Sequence, residues 1–370
     1  MSNEFLTTQA IARKVLPRLY ENLVMPNLMY NELSSEYQNI GDTIRVRKPI
    51  NVKVDDFNPE TGVNYQSVKD EAVFVKLDKV ATADFEWSSV EKALQRGTFE
   101  QEIIESAMVK FAEKINREAL ELYKDIPYST GTAGVTMHDL KDIAVIRKEL
   151  NKRGVQNSGR VTVLDSEAEC ELLTIPSIVN AEKSGTTEAL RSASIGKLYG
   201  FDNYSSQGVA QHKTGITASD KVKIGATAKE GAEVISLSAT TLTGKLVKGD
   251  LLTILGESYT VVEDTEEAVS NAISNVKIYP ALKSDVTTTT NVTLIGDHTA
   301  NLAFVKEAFA FVTAPLPLPT VGDAYVLNYN GLSLRVVKGY DQKFKKEVLS
   351  IDMLYGFKTL YPELAERVLG

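Results

Sequence analysis

The residues that could perform chemistry in this chain are few and widely spaced. There are three histidines, His138, His212 and His298, and one cysteine, Cys170. A protein metal site usually draws several His or Cys ligands from short, regular spacings, and none of these residues has a second one at such a spacing. A disulfide framework needs more than one cysteine. The sequence therefore predicts no metal site and no cofactor, and we interpret Cys170 as a small buried core residue.

Known catalytic motifs are missing as well. The chain contains no Walker A loop, no dinucleotide-binding glycine fingerprint, no nucleophile elbow and no zincin motif. Residues 89–92 and 194–197 match the loose pattern Ser-x-x-Lys. That pattern occurs by chance in chains of this length, and the motifs that accompany it in enzymes are missing. The sequence therefore predicts that the protein is not an enzyme.

Charged residues offer the clearest candidates for binding. Asp264, Glu266 and Glu267 flank Thr265 and form the densest acidic cluster of the chain. Such a cluster is either a solvated loop or a contact with basic residues of a neighbouring subunit, where charge pairs mainly set register and partner choice. Basic residues also alternate with apolar ones in a strand-like stretch near residue 50. We predict six candidate residues for contacts between subunits, which are Asp264, Glu266, Glu267, Arg45, Arg47 and Lys53.

The composition is that of an ordinary globular protein. Of the 370 residues, 43% are hydrophobic and 24% are charged, which is enough to build a core and suggests two or three domains. The formal net charge is -8, whereas nucleic-acid-binding proteins usually carry a basic excess, so the sequence argues against sequence-specific DNA binding. A single cysteine fits a reducing compartment. No apolar run reaches the roughly 18 residues of a membrane helix, and no secretory signal is visible.

The first forty residues have the pattern of an arm. Ile11, Val15, Leu16 and Leu19 could line one face of a helix, which Pro17 would interrupt. Two interpretations stay open for this apolar face. It could pack on the core of its own subunit, or it could pack on a neighbouring subunit.

A long β excursion and a long helix follow the arm. From about residue 40 to 90, alternating apolar residues on both sides of a polar turn predict a two-stranded hairpin, which is marginally stable unless something else supports it. Thr98 and Gln101 then form a capping-box pattern. The helix that they open has one apolar stripe, made of Ile104, Met108, Phe111, Ile115, Ala119 and Leu122.

From about residue 130 onward, the pattern predicts an α/β domain with an insertion. Thr136 is a plausible N-cap of a helix, residues 161–164 form a short strand, and Asp165 or Ser166 begins another helix. From 215 to 297 the sequence has six short β runs at regular spacing, which predicts a small inserted barrel or sandwich. Strand patterns at 332–337 and 348–354 mark the return of the parent domain.

This order of parts resembles the HK97-fold major capsid proteins of tailed bacteriophages, and specifically the P22-like coat proteins that carry an inserted I-domain. The resemblance extends over essentially the whole chain and rests on diffuse stretches, which are Phe5–Thr8, Tyr37–Ile44, Gln211-His212 and Asp352–Gly356. The insertion is shorter here than in the best-known member of the family.

The resemblance implies an α+β fold of the HK97 type plus an inserted all-β, barrel-like domain. It divides the chain into a series of parts with these boundaries: 1–40 as the N-terminal arm, 41–90 as the E-loop with its flanking strands, 91–130 as the peripheral domain with the spine helix, 131–214 as the axial domain, 215–297 as the I-domain, and 298–370 as the return to the axial and peripheral domains.

The resemblance also implies a function. Such a protein self-assembles as pentamers and hexamers into the icosahedral shell that encloses the double-stranded DNA of a tailed phage. Its implied partners are copies of itself, a scaffolding protein, the portal protein and, non-specifically, the packaged DNA, with no membrane and no cofactor. Assembly takes place in the cytoplasm of the bacterial host. An arm and a hairpin with uncovered apolar stripes fit this role, because rotated copies of the same chain can cover them.

Two alternatives remain. The chain could be another structural protein of a shell or a tail. It could also be a hydrolase with an appended β-sandwich module, in which case histidines and acidic residues should cluster in a pocket.

Overall fold

The structure is a computed structural model that describes residues 8–31, 43–47, 72–88, 99–180, 188–218, 221–320, 322–344 and 346–370. The described residues form a mixture of helices and strands. The chain separates into two compact units. The first comprises Met1–Tyr20, Asn31–Phe111 and Phe309–Leu360, and the second comprises Glu21–Tyr30, Ala112–Ala308 and Tyr361–Gly370.

The helices of the described residues are α1 (Thr8–Asn22), α2 (Met25–Leu28), α3 (Phe99–Leu120), α4 (Leu140–Lys152), α5 (Ser166–Thr174), α6 (Pro176–Val179) and α7 (Glu188–Ser192), with short 3-10 helices at Glu121–Asp125, Lys306–Ala308 and Pro362–Leu364. The strands are β1 (Thr43–Arg47), β2 (Ala72–Lys76), β3 (Lys79–Ser88), β4 (Ser129–Gly131), β5 (Arg160–Leu164), β6 (Lys197–Leu198), β7 (Phe201–Ser205), β8 (Gln211–His212), β9 (Ile216–Ala218), β10 (Val222–Ile224), β11 (Val234–Ser238), β12 (Leu242–Gly244), β13 (Leu251–Ile254), β14 (Glu257–Val261), β15 (Ala272–Tyr279), β16 (Asn291–Leu294), β17 (His298–Val305), β18 (Phe309–Ala314), β19 (Asp323–Tyr329), β20 (Leu332–Asp341), β21 (Lys346–Thr359) and β22 (Ala365–Leu369).

The first unit is built on an antiparallel sheet around the long strand β21. The strand order is β18-β21-β20-β19, and β3 pairs with β21 as well. Residues paired across neighbouring antiparallel strands point to the same face, so Val336 and Ile351 lie side by side, and both are fully buried. This confirms the two return strands that the alternating pattern predicts.

The predicted hairpin is present where the structure describes it. β1 pairs with β2 in antiparallel register, from Thr43 opposite Lys76 to Arg47 opposite Ala72. Val75 and Leu77 are fully buried within the first unit. The predicted polar tip lies outside the described residues.

Helix α1 decides between the two interpretations of the arm. It continues through Pro17 and buries one face, which consists of Thr8, Ile11, Ala12, Val15, Leu16 and Leu19. The Thr8 hydroxyl donates to Asp323 Oδ2 at 3.1 Å, and the rings of Tyr20 and Tyr329 meet edge to face with 5.9 Å between centroids. This apolar face is therefore covered by its own chain, and the interpretation that a neighbouring subunit covers it is wrong for this helix.

Helix α3 carries the predicted apolar stripe. Met108, Phe111, Ile115 and Ala119 are all buried. The helix ends at Leu120 and continues as a 3-10 helix, so it is slightly shorter than predicted. Thr98 and the side chains of the first helical turns lie outside the described residues.

The centre of α3 also anchors the segment after α1. The side-chain carbonyl of Asn116 accepts hydrogen bonds from the backbone N–H groups of Val24 and Met25, at 3.0 and 3.3 Å, and its amide group donates to the carbonyl of Asn22 at 3.0 Å. One buried side chain thus satisfies three backbone groups where α1 gives way to α2.

The second unit contains a sheet with the order β4-β22-β17-β5-β7-β6, and β8 pairs with β17 beside this path. Val163, Leu302 and Arg367 are paired across three neighbouring strands and therefore share one face. Helices α4 and α5 cover the opposite face. The core on that side includes Met137, Ile143, Ile146, Leu150, Leu164, Ala168, Leu172, Phe201, Ala303, Val305 and Val368.

Two local predictions in this unit are wrong. Cys170 is exposed instead of buried. Helix α5 buries Ala168 and Leu172, and a position two residues away from both is turned by about 200° around the helix axis, toward solvent. Helix α4 begins after Asp139 and not next to the predicted N-cap, Thr136.

Between β8 and β17 the chain forms a closed barrel of six antiparallel strands. Their order is β10-β11-β15-β14-β13-β16, and each corresponds to one of the six predicted β runs. A separate two-stranded sheet, β9-β12, lies outside this ring. The barrel has its own apolar core, which consists of Val222, Ile224, Ile235, Leu237, Leu242, Leu246, Leu252, Ile254, Tyr259, Val261, Ile273, Val276, Ile278, Leu282, Val286 and Val292.

Among the described helices, none combines the length and the apolar character that a membrane span requires.

Candidate functional site

The strands that lead into and out of the barrel meet at two histidines. β8 precedes the barrel and β17 follows it, and His212 lies directly opposite His298 in their short ladder. The ring centroids are 5.1 Å apart. Both side chains are buried, with 3% and 4% of their surface exposed. The histidines that the sequence leaves isolated are therefore neighbours in the fold.

His212 is held from both sides. One ring nitrogen, Nε2, lies 2.8 Å from Asp250 Oδ1, and the other, Nδ1, lies 2.9 Å from the hydroxyl of Tyr123. A carboxylate only accepts hydrogen bonds, so His212 donates from Nε2 to Asp250, and in that tautomer its Nδ1 accepts from the tyrosine hydroxyl. The second oxygen of Asp250 accepts from the backbone N–H of Val247 at 2.8 Å.

Arg367 closes the cluster on the side of the sheet. It is fully buried on β22, and its guanidinium group donates to three backbone carbonyls, those of Gly249 at 2.7 Å, Tyr123 at 2.6 Å and Ile126 at 3.1 Å. It also lies over the ring of Tyr123, with 4.9 Å to the centroid. Burial lowers the pKa of Arg367 to about 9, so the side chain stays protonated at neutral pH.

Tyr123, His212 and Asp250 are connected by hydrogen bonds in that order, and such a chain could activate a nucleophile. The pKa values of the cluster argue against that use. Burial raises the pKa of the Tyr123 hydroxyl to about 12, whereas catalytic groups need pKa values near the operating pH. Burial also lowers the pKa of His298 to about 4. A cavity of about 260 Å³ borders the two histidines together with Glu167 and Asp297. Within the described residues, no three His, Cys, Asp or Glu side chains are grouped so that they could hold a metal ion.

The loop before β13 connects this cluster to the rest of the barrel. We call Lys245–Asp250 the bridging segment. Gly249 has a φ of +98°, and a Cβ at this position would come within 2.8 Å of the Lys124 side chain, so only glycine fits. The amino group of Lys248 lies 2.8 Å from Asp125 Oδ1. Both contacts join the bridging segment to the 3-10 helix that follows α3.

The predicted acidic cluster lies in the loop 262–271, which contacts the bridging segment. Asp264 accepts from the backbone N–H of Lys248 at 2.9 Å and pairs with the amino group of Lys245 at 3.2 Å, and these hydrogen bonds lower its pKa. The backbone N–H of Thr265 donates to the carbonyl of Leu246 at 2.9 Å. Asp264 thus fixes the loop to its own chain.

The structure describes the other five predicted contact residues to different extents. Glu266 and Glu267 are exposed beside Asp264. The backbones of Arg45 and Arg47 belong to β1, but their side chains lie outside the described residues, as does the whole of Lys53. A contact between subunits stays a prediction for all six residues.

The buried cluster is the feature that reasoning from the sequence missed. In the sequence, Lys248-Gly249-Asp250 has only the composition of a turn, and no pattern singles out Arg367. The spacings are long, with 89 positions between Tyr123 and His212 and 38 between His212 and Asp250. No local pattern in a sequence signals contacts at such separations.

Comparison with known proteins gives one full-length relative in sequence. No protein-family model matches the chain. The major capsid protein of Acyrthosiphon pisum secondary endosymbiont phage 1 is 22% identical to it over 413 aligned positions, which cover 98% of this chain and 97% of that protein.

Comparison with solved structures gives one match that shows the fold, which is the first of the two named here. A protein of Mycobacterium phage Che8 superposes with a TM-score of 0.55 at 16% identity, covering 94% of this chain and 90% of that chain. The capsid structure of cyanophage P-SCSP1u has a TM-score of 0.49 at 10% identity, with 90% and 84% covered. Over nearly both full lengths the chain is thus similar to a phage major capsid protein, and it has the mixed α/β fold of the Che8 protein, in agreement with the phage-capsid resemblance of its sequence.

Proposed function

We propose that this protein is the major capsid protein of a tailed phage, which assembles as pentamers and hexamers into an icosahedral shell around double-stranded DNA. The observation that carries the proposal is the similarity to a phage major capsid protein over 98% of this chain and 97% of the relative. The Che8 protein, which has the same fold over 94% of the chain, supports the proposal.

The described elements suggest how the parts of such a subunit map onto the chain. The barrel between β8 and β17 would be the I-domain at 215–297, and α3 would be the spine helix of the peripheral domain at 91–130. The hairpin β1-β2 would belong to the E-loop at 41–90. The sheet of the second unit would supply the axial domain at 131–214, and residues 298–370 would return to both domains. Of the N-terminal arm at 1–40, the helix α1 packs on its own chain.

The acidic loop would form contacts between neighbouring subunits. Glu266 and Glu267 are exposed on a loop that Asp264 holds in place. Opposite charges on a neighbour, for which Arg45, Arg47 and Lys53 are the candidates, would set the register of the two subunits. Charge pairs of this kind contribute more to specificity than to affinity, and the many contacts of each subunit in a shell would supply the affinity.

The proposed partners follow from the same role. Copies of the chain, a scaffolding protein and the portal protein would meet during assembly in the bacterial cytoplasm. With a net charge of -8, the shell would touch its DNA only non-specifically. We propose no enzymatic activity, because the Tyr123–His212–Asp250 arrangement is buried and its tyrosine has a raised pKa.

Electron microscopy tests the shell directly. The chain is expressed alone and together with the scaffolding protein of its phage, and the products are examined by negative stain. We expect closed particles of uniform diameter. A chain that stays a monodisperse monomer under both conditions contradicts the proposal.

A charge-reversal pair tests the acidic loop. The variant E266K/E267K should lower the yield of closed particles, because it places like charges against the basic side chains of the neighbour. The matched control is E230K/E233K, which makes the same change of charge at two other exposed positions of the insertion. If both variants assemble equally well, the loop does not form the contact.

A further inference from the structure

We propose that the buried cluster of Tyr123, His212, Asp250 and Arg367 is a clamp that sets the angle of the barrel on the sheet. Through the bridging segment, the clamp also sets the direction in which Glu266 and Glu267 project. The clamp itself is a property of the single chain, and only its consequence for assembly rests on the proposed function.

The covalent connections of the barrel are too few to fix its angle. The chain enters from β8 and leaves through β17, and these strands pair at only two positions, His212 with His298 and Gln211 with Thr299. Two adjacent linkers define an axis about which a domain can rock. A third attachment that does not belong to either linker is needed to stop this motion.

The bridging segment provides the third attachment. Gly249 and Asp250 lie between β12 and β13, well away in sequence from both linkers. The carbonyl of Gly249 accepts from Arg367 at 2.7 Å, and the carboxylate of Asp250 accepts from His212 at 2.8 Å. One bond reaches the sheet and the other reaches the linker strand, so the barrel is held at separate points.

Burial makes this attachment selective for one angle. Arg367 is 0% exposed, Tyr123 and Asp250 are each 2% exposed, and His212 is 3% exposed. If the barrel rotated, the carboxylate of Asp250 would lose His212 and the guanidinium group of Arg367 would lose the carbonyl of Gly249, and neither would gain water. An unpaired buried polar group is strongly unfavourable, and a charged one more so. Small rotations are therefore penalised steeply, which a packed apolar contact alone would not achieve.

The same segment carries the orientation to the acidic loop. Its last two residues, Gly249 and Asp250, belong to the clamp. The residues before them hold the acidic loop: the backbone N–H of Lys248 donates to Asp264, and the carbonyl of Leu246 accepts from the N–H of Thr265. Only a few covalent bonds separate the two sets of contacts. The direction of Glu266 and Glu267 is thus coupled to the buried cluster.

Distance measurements between two spin labels test the clamp in the complete chain. Cys170 is the single cysteine and is exposed on α5, so it takes the first label without mutation. The second label goes on T288C, at an exposed position of the barrel between β15 and β16. Double electron–electron resonance on the dispersed, unassembled chain then gives the distribution of distances between sheet and barrel.

We expect a single narrow distribution for the parent chain and a broadened one for Asp250→Ala. Tyr123→Phe keeps the ring and removes only the bond to His212, and it should broaden the distribution less. The control, Asp285→Ala, removes an exposed ion pair of the barrel with Lys229 and should leave the distribution narrow.

The clamp is refuted if Asp250→Ala and Tyr123→Phe both keep the narrow distribution of the parent. If Asp250→Ala does not fold, as judged by circular dichroism, Tyr123→Phe decides the question alone. Because the labels report on the unassembled chain, this result is independent of whether the protein forms a shell.

Discussion

Replacing Asp250 with alanine should destabilise the second unit more than any exposed substitution in the barrel. The change removes both carboxylate oxygens from the cluster. The Nε2–H group of His212 and the backbone N–H of Val247 then lose their acceptors, which lie at 2.8 Å in each case. The ring of His212 stays buried, so water does not replace its lost partner.

The size of the effect follows from these two bonds. A hydrogen bond to an ionised group contributes about 1.5–3 kcal/mol, and leaving its partner buried and unpaired costs the full desolvation of that partner. Removing one member of a buried charged network typically costs about 3–5 kcal/mol. We therefore expect a loss of about 4 kcal/mol in the free energy of unfolding. For a unit of this size, that corresponds to a fall of about 10 °C in the unfolding midpoint.

Scanning calorimetry of the unassembled chain at pH 7.5 measures this fall. The control is Asp285→Ala, whose carboxylate is exposed beside Lys229 and should leave the midpoint unchanged. A double-mutant cycle with Tyr123→Phe adds a sharper readout, because both side chains act through His212. Their effects should deviate from additivity by at least about 0.5 kcal/mol.

The reasoning is wrong if Asp250→Ala melts at the same temperature as the control variant. It is also wrong if the cycle shows strict additivity, since Tyr123 and Asp250 would then not belong to one network.

Three further predictions concern single side chains. Because burial lowers the pKa of His298 from 6.5 to about 4, the unfolded chain takes up the proton first as the pH falls. The free energy of unfolding should therefore be greatest above pH 6.5 and fall by about 2 kcal/mol between pH 7.5 and 5, and His298→Asn should abolish this fall in urea titrations. Asn116→Ala removes three hydrogen bonds to the backbone and should cost about 2–3 kcal/mol in the same titrations, with Asn116→Asp intermediate because it keeps the acceptor. Leu255 is 62% exposed and has a φ of +51° in the two-residue turn between β13 and β14. Asparagine tolerates a positive φ better than leucine, so Leu255→Asn should stabilise the chain by about 1 kcal/mol and raise the calorimetric midpoint. An unchanged or lower midpoint would contradict this.

Patterns that repeat within one element were predictable from the sequence. The stripe from Met108 to Ala119 places a side chain on the same face every three or four residues, and that face is buried in α3. The six β runs of the insertion became the six strands of the barrel. In both cases the periodicity of the backbone converts spacing along the chain directly into a shared face, so no knowledge of distant partners is needed.

Predictions failed where burial depends on what an element packs against. The apolar face of α1 is equally visible in the sequence whether its own chain or a neighbour covers it, so the sequence left both interpretations open, and the burial of that face in the structure decided between them. Cys170 belongs to a residue type that is usually buried, but it lies on the side of α5 that faces away from Ala168 and Leu172.

The sequence by itself determined the long helix, the six short β runs that form the barrel and the resemblance to phage capsid proteins, because each depends on local patterns and on their succession along the chain. Only the tertiary structure decided that Tyr123, His212, Asp250 and Arg367 form one buried cluster. These residues are up to 244 positions apart, and a hydrogen bond depends on distance in space, which pairing and closure of the strands establish.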